Sequence, residues 1–184
     1  MFVDVAKLPF VPMLRESCKS IRAELAALDG GTFIPWHETQ LYESGWDVFG
    51  LYAFGRRIDE NCALAPRTAS VVERIPGLVT AGFSSLKPMT RIAPHMGYEY
   101  ETAADGSLTT QKKLNTTVLR LHLGVVVPPT YTDLGCAIRV GEEVAAWKEG
   151  ECLCFDDAIE HEAWNRSQGT RVVLLVDFLK SALA

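Results

Sequence analysis

Residues 151–178 decide the fold: Glu151-Cys152-Leu153-Cys154-Phe155-Asp156-Asp157-Ala158-Ile159-Glu160-His161-Glu162-Ala163-Trp164-Asn165-Arg166-Ser167-Gln168-Gly169-Thr170-Arg171-Val172-Val173-Leu174-Leu175-Val176-Asp177-Phe178. Polar interruptions cut this segment into three short apolar stretches, 151–155, 158–164 and 171–178, each of strand length. Working outward, the same reading predicts strands over 48–54, 78–86, 90–94, 117–127, 137–140 and 142–147, with a turn at Gly55-Arg56-Arg57. Ahead of them, residues 12–28 carry Leu14, Cys18, Ile21, Leu25 and Leu28 at spacings of three and four. That spacing predicts an amphipathic helix, ended by Gly30-Gly31. A second short helix is expected over 69–75, before Pro76-Gly77. A helix followed by about eight short strands predicts an α+β, mainly β fold, a sandwich or barrel over 41–184 behind a helical region at 1–40.

At 184 residues and 20.3 kDa the chain is expected to form one catalytic domain. Hydrophobic residues make up 48% and charged residues 22%, which removes the disordered and fibrous classes. A net charge of -5 with no basic stripe argues against a nucleic-acid partner. The five cysteines, Cys18, Cys62, Cys136, Cys152 and Cys154, form an odd set with no CxxC spacing and read as reduced thiols. Cys152 and Cys154 lie two apart, on one side of a strand, and a zinc site there would need two further ligands. No secretory leader is read at the start, and no apolar run reaches the ~18 residues of a membrane span. The expectation is a cytoplasmic protein with no membrane partner.

Histidine placement points to chemistry. Of four histidines, His95, His122 and His161 fall inside strand-like motifs. These read Ile92-Ala93-Pro94-His95-Met96-Gly97, Leu119-Arg120-Leu121-His122-Leu123-Gly124, and the stretch from Phe155 through His161 to Trp164, with Arg171 beyond. Upstream stand Gly55-Arg56-Arg57-Ile58-Asp59-Glu60-Asn61-Cys62, Ala65-Pro66-Arg67-Thr68 and Phe83-Ser84-Ser85-Leu86; downstream is Val176-Asp177. In this order the motifs resemble the aspartyl/asparaginyl β-hydroxylase family of iron(II)- and 2-oxoglutarate-dependent oxygenases, over roughly the last three-quarters of the chain.

The resemblance implies a double-stranded β-helix, the jelly-roll or cupin-like core, with His95 and His161 as iron ligands. Many such oxygenases add a carboxylate two residues after the first histidine; here that position is Gly97. Water in the carboxylate's place, a halide, or a lost metal would each account for this. Asp157 is then either the carboxylate that holds that water or an ordinary turn residue. Arg171 is implied as the bidentate partner of the 2-oxoglutarate carboxylate, with His122 and Ser84 beside it. Arg120, Arg139 and Arg91 are the candidates for an acidic substrate, Arg120 sharing a strand face with His122. His37 and Arg56-Arg57 have no assigned role.

Residues 98–114 read as an addition relative to compact relatives, a hairpin or flap with Asp105-Gly106 as its turn. The implied reaction is oxidative decarboxylation of 2-oxoglutarate by dioxygen, followed by hydroxylation of an unactivated carbon. The expected substrates carry the β-carbon of an amino acid: a free amino acid, a carrier-bound aminoacyl group or a small peptide. A same-site halogenase or oxidative cyclase, a zinc hydrolase and a non-catalytic cupin-like binding module are the rival readings.

Overall fold

The computed structural model describes residues 1–102 and 108–183. The expected Asp105-Gly106 turn lies outside the described residues. In chain order the helices are α1 (Val11–Ala27), α2 (Asp59–Leu64) and α3 (Pro66–Val72). The strands are β1 (Ile34–Pro35), β2 (Trp46–Ala53), β3 (Arg56–Arg57), β4 (Leu78–Leu86), β5 (Thr90–His95), β6 (Tyr98–Thr102), β7 (Leu108–Leu114), β8 (Val118–Val126), β9 (Cys136–Val140), β10 (Glu143–Ala146), β11 (Cys152–Asp156), β12 (His161–Asn165) and β13 (Arg171–Leu179).

Two antiparallel sheets build the jelly roll. The larger runs β1-β2-β4-β13-β8-β11, with β3 on β2, and the smaller runs β10-β9-β12-β5; β6 and β7 form a separate hairpin. Trp46, Leu86, Ile92, Ile138, Trp147, Phe155 and Val173 make one buried cluster that joins the two sheets. On the other side of the large sheet, Leu14 and Ile21 of α1 and Val72 of α3 belong to a second cluster with Phe49, Phe83, Leu121, Leu123, Leu174 and Val176. Strand β13 is therefore covered on both faces, and its unbroken Val172–Val176 run is the sequence that such a position demands.

Three local expectations need correction. Helix α1 ends at Ala27, before the glycines, and Gly30–Thr32 forms a separate 3-10 turn. The second helix lies earlier than expected, over Pro66–Val72, with α2 directly before it. Pro66 cannot continue a helix through its missing N–H and disfavours helical backbone at Ala65, so two short helices replace one. The strand expected from 158 begins only at His161, because the Asp156 carboxylate accepts from Ala158 N–H at 3.1 Å and its carbonyl from Ile159 N–H at 3.0 Å. That local turn competes with the strand ladder.

Candidate active site

Strand pairing places the two histidines together. His161 opens β12 and stands opposite His95, the last residue of β5, with ring centroids 4.2 Å apart. Each Nδ1 lies 2.8 Å from the carbonyl oxygen two residues back, Ala93 for His95 and Ile159 for His161. A carbonyl can only accept, so Nδ1 carries the proton on both rings and both Nε2 lone pairs are left for a ligand. Burial, then the neighbouring His95, then Arg120 push the His161 pKa down to about 3. Burial chiefly lowers that of His95 as well. Both imidazoles are neutral at ordinary pH, as metal ligation requires.

Position 97 has no room for a side chain. A Cβ built on Gly97 would lie 1.7 Å from Asp157 Oδ2, so the Asp157 carboxylate occupies the space that a side chain at position 97 would enter. The Gly97 N–H donates to the Asp157 carbonyl at 2.7 Å and locks the two segments together. Asp157 Oδ1 is 3.8 Å from His161 Nε2 and 2.8 Å from Arg120 Nη1. The latter contact is an ion pair without hydrogen-bond alignment, which leaves that oxygen able to accept from another donor. Arg120 is in turn held bidentately by Asp177, Nε to Oδ1 at 2.7 Å and Nη2 to Oδ2 at 2.9 Å. Burial raises the Asp157 pKa against the pull of Arg120.

Arg171 is 1% exposed, and among the described residues no carboxylate pairs with it. Its guanidinium stacks on Trp147 at 4.4 Å, Nη1 reaches the Ser84 carbonyl at 3.4 Å, and Nε has no partner. Burial lowers its pKa to about 10. Both ring nitrogens of buried His122 and the indole Nε1 of Trp147 are also unpartnered. Burial, then Arg171 and Arg120, keep His122 neutral. Ser84 Oγ accepts from Trp46 Nε1 at 3.1 Å. Buried donors gathered around an unmatched guanidinium form a cradle for a carboxylate.

Two expected substrate residues are placed elsewhere. Arg139 bonds Glu162 at 2.7 Å, Glu160 at 3.0 Å and the Gly141 carbonyl at 2.7 Å. Arg91 clamps the other oxygen of Glu162 through Nε at 2.9 Å and through Nη2. The reason is strand parity: His161 faces the barrel interior, so Glu162 and its cross-strand partner Arg139 face out, and Arg91, opposite Trp164, does the same. Arg120 does face inward, with its charge matched by two carboxylates. The sequence assigns no role to Trp147 or to Asp177, although Asp177 stands in the Val176-Asp177 motif. Asp177 had a usable signal, six residues after Arg171 and so on the same strand face; Trp147 had none.

A cavity of about 530 Å³ opens beside His95 and Asp157. His95, Asp157, Arg120, Ser84 and Trp36 line it, together with apolar Ile34, Val48, Phe54, Ile58, Val79 and Leu179 and with polar Glu38, Asn61, Lys112 and Asn115. Trp36 stacks on Trp46 at 4.8 Å.

Two facing antiparallel sheets with a histidine pair between them define a double-stranded β-helix fold. A prolyl hydroxylase from Trichoplax adhaerens, in complex with a hypoxia-inducible-factor peptide fragment, shares the fold at a TM-score of 0.57 and 11% identity, over 91% of this chain and 80% of that one. HygX from Streptomyces hygroscopicus, solved with nickel and 2-oxoglutarate, gives 0.52 and 13% over 90% and 78%. The chain belongs to the aspartyl/asparaginyl beta-hydroxylase family, whose profile matches residues 15–181. It is 37% identical to the ornithine lipid ester-linked acyl 2-hydroxylase of Rhizobium tropici, over 96% of this chain and 59% of that protein. It is 34% identical to the human aspartyl/asparaginyl beta-hydroxylase, over 91% of this chain and 20% of that protein.

Proposed function

We propose that the protein is an iron(II)- and 2-oxoglutarate-dependent dioxygenase that hydroxylates an unactivated carbon of an acyl chain. The observation that carries the reading is Arg171, a fully buried cation with no anionic partner among the described residues, beside the open donors of His122 and Trp147. The residues fit the co-substrate: Arg171 would take its distal carboxylate, with Ser84 and His122 alongside. The Nε2 atoms of His95 and His161 would hold the iron, which with 2-oxoglutarate and dioxygen supplies the oxidant for C–H hydroxylation. Asp157, fixed by Arg120 and Asp177, would accept a hydrogen bond from a water in the place a third side chain usually takes. The Trp46 ring lies 6.2 Å from that of His95 and the Phe155 ring 5.0 Å from that of His161, which walls the pair with aromatic surface.

The same features weigh against the rivals. A halide would have to sit against the Asp157 carboxylate, which repels an anion. A binding module has no use for an unmatched buried guanidinium. A zinc hydrolase would normally present three protein ligands, and among the described residues no third one joins the histidine pair.

An amino-acid substrate would bring a carboxylate needing its own cation, and Arg91, Arg139 and Arg120 are all paired with acids. An apolar groove suits an acyl chain, the group in the name of the Rhizobium relative. The test is anaerobic titration with Fe(II) and then 2-oxoglutarate, followed by the weak visible charge-transfer band of the chelate. A band in wild type that is lost in Arg171→Ala supports the reading; no band in wild type overturns it.

A further inference from the structure

The β2–β3 hairpin closes in two residues, Phe54 and Gly55, because Ala53 pairs with Arg56. Both have positive φ, 53° and 76°. This is the left-handed turn that Asn-Gly fills with least strain. A phenylalanine there crowds its own backbone. Nor does the ring gain packing, since Phe54 is 80% exposed. The tip is nevertheless pinned, with the Gly55 N–H donating to the Val79 carbonyl at 2.7 Å. A strained conformation that holds an aromatic ring in water points to a role outside the fold.

Its location narrows that role. Phe54 lines the cavity together with Ile34, Tyr98 and Leu179, and all four are exposed. Single exposed apolar residues are ordinary, but several around one opening mark a binding surface. Ile34 pairs with Val48, and Phe54 stands six residues further along that strand, roughly 20 Å at the usual rise, so the rim follows the groove. Arg56 beside the ring is exposed and has no ion pair among the described residues, whereas Arg57 is held by Glu73 and Asp59.

We propose that the Phe54-Gly55-Arg56 tip and this apolar rim dock on a phospholipid bilayer, so that an acyl chain passes from the bilayer into the groove. The ring would enter the boundary between headgroups and acyl chains, and the Arg56 guanidinium would meet lipid phosphate. The inference rests on the acyl-chain reading above. It also replaces the expectation of no membrane partner: no helix among the described residues can span a bilayer, but docking needs none.

The experiment is co-sedimentation of the full chain with phosphatidylcholine vesicles, with and without phosphatidylglycerol, for wild type, Phe54→Asn and Ile34→Ser. Wild type is expected to partition onto vesicles, and Phe54→Asn to weaken this about tenfold or more, from the lost burial of one aromatic side chain. The same variant should melt at a higher temperature, because asparagine suits the left-handed turn. Wild type remaining in the supernatant, or Phe54→Asn sedimenting equally, would overturn the proposal. So would a dimer that Phe54→Asn dissociates without any vesicle binding, which would give the rim to a second copy. The iron–2-oxoglutarate band is recorded in parallel. Its loss in wild type removes the oxygenase reading alone, while failed sedimentation with the band intact removes the docking surface alone.

Discussion

Arg139 and Arg91 on the outside of the barrel are matched with acids, while Arg171 in its interior has no acidic partner among the described residues. Arg139 has three oxygen partners and Arg91 shares one of them, Glu162, at a surface where water could have solvated all three side chains. Arg171, where water cannot reach, has an aromatic face and one long bond to a carbonyl. Surface ion pairs add little to stability, and a buried unmatched charge subtracts from it. The outer network is thus dispensable, while the inner cation stands against its own folding interest, a cost that the proposed co-substrate carboxylate would offset.

The sharpest way to break this contrast is Arg171→Met. Loss of a buried charge partner should weaken 2-oxoglutarate by about 2–5 kcal/mol, roughly 30-fold to several thousand-fold, measured by calorimetry on the Fe(II) protein. The melting temperature of the ligand-free variant should rise, since methionine removes an uncompensated cation; a fall would make Arg171 a structural residue.

Next in size is Gly97→Ala. Its methyl overlaps Asp157, so a loss of about 1–3 kcal/mol in denaturant unfolding and weakened Co(II) binding are expected. Unchanged stability would show that Asp157 moves freely.

Acid should act through the interior as well. His95, His122 and His161 have folded pKa values below the ordinary 6.5, so the unfolded chain binds more protons as pH falls below that value. Stability is full above pH 6.5 and is lost toward pH 5, by at most about 1.4 kcal/mol per pH unit for each histidine. Asp157, pushed up to about 6, opposes this, gaining stability as pH falls from there toward 3.8. A melting temperature flat from pH 7 to 5 would show that the histidines are solvated; the pH range follows the same linkage.

The smallest effect belongs to the outer face. Arg139→Gln should change stability by under about 1 kcal/mol and leave Fe(II) and 2-oxoglutarate affinities as they are. A large loss of either would return Arg139 to the site.

What the sequence made legible follows from the kind of signal each residue carries. His95, His161 and Arg171 sit in local motifs, so they stood out before any strand was paired. Arg139 and Arg91 were misplaced because their direction depends on parity against His161 and on a register shift between His161 and Ala163, which only pairing reveals. The break between α2 and α3 was legible in Pro66 and was overlooked. Trp147 could not be found, since nothing in Ala146-Trp147-Lys148 shows that it will lie under a guanidinium from a distant strand. Gly97 was read as an empty position, whereas the folded chain shows it to be a filled one.

That last feature constrains which neighbouring sequences are accessible by single steps. An aspartate at position 97 cannot be accommodated while Asp157 stands where it does, and removing Asp157 alone takes away the carboxylate that lies 3.8 Å from His161 Nε2. A three-ligand centre therefore lies at least two substitutions away, with a weakened protein at either intermediate. If His95 and His161 hold a metal as proposed, the glycine–aspartate pair ties this chain to a two-histidine site by mutational path as well as by chemistry.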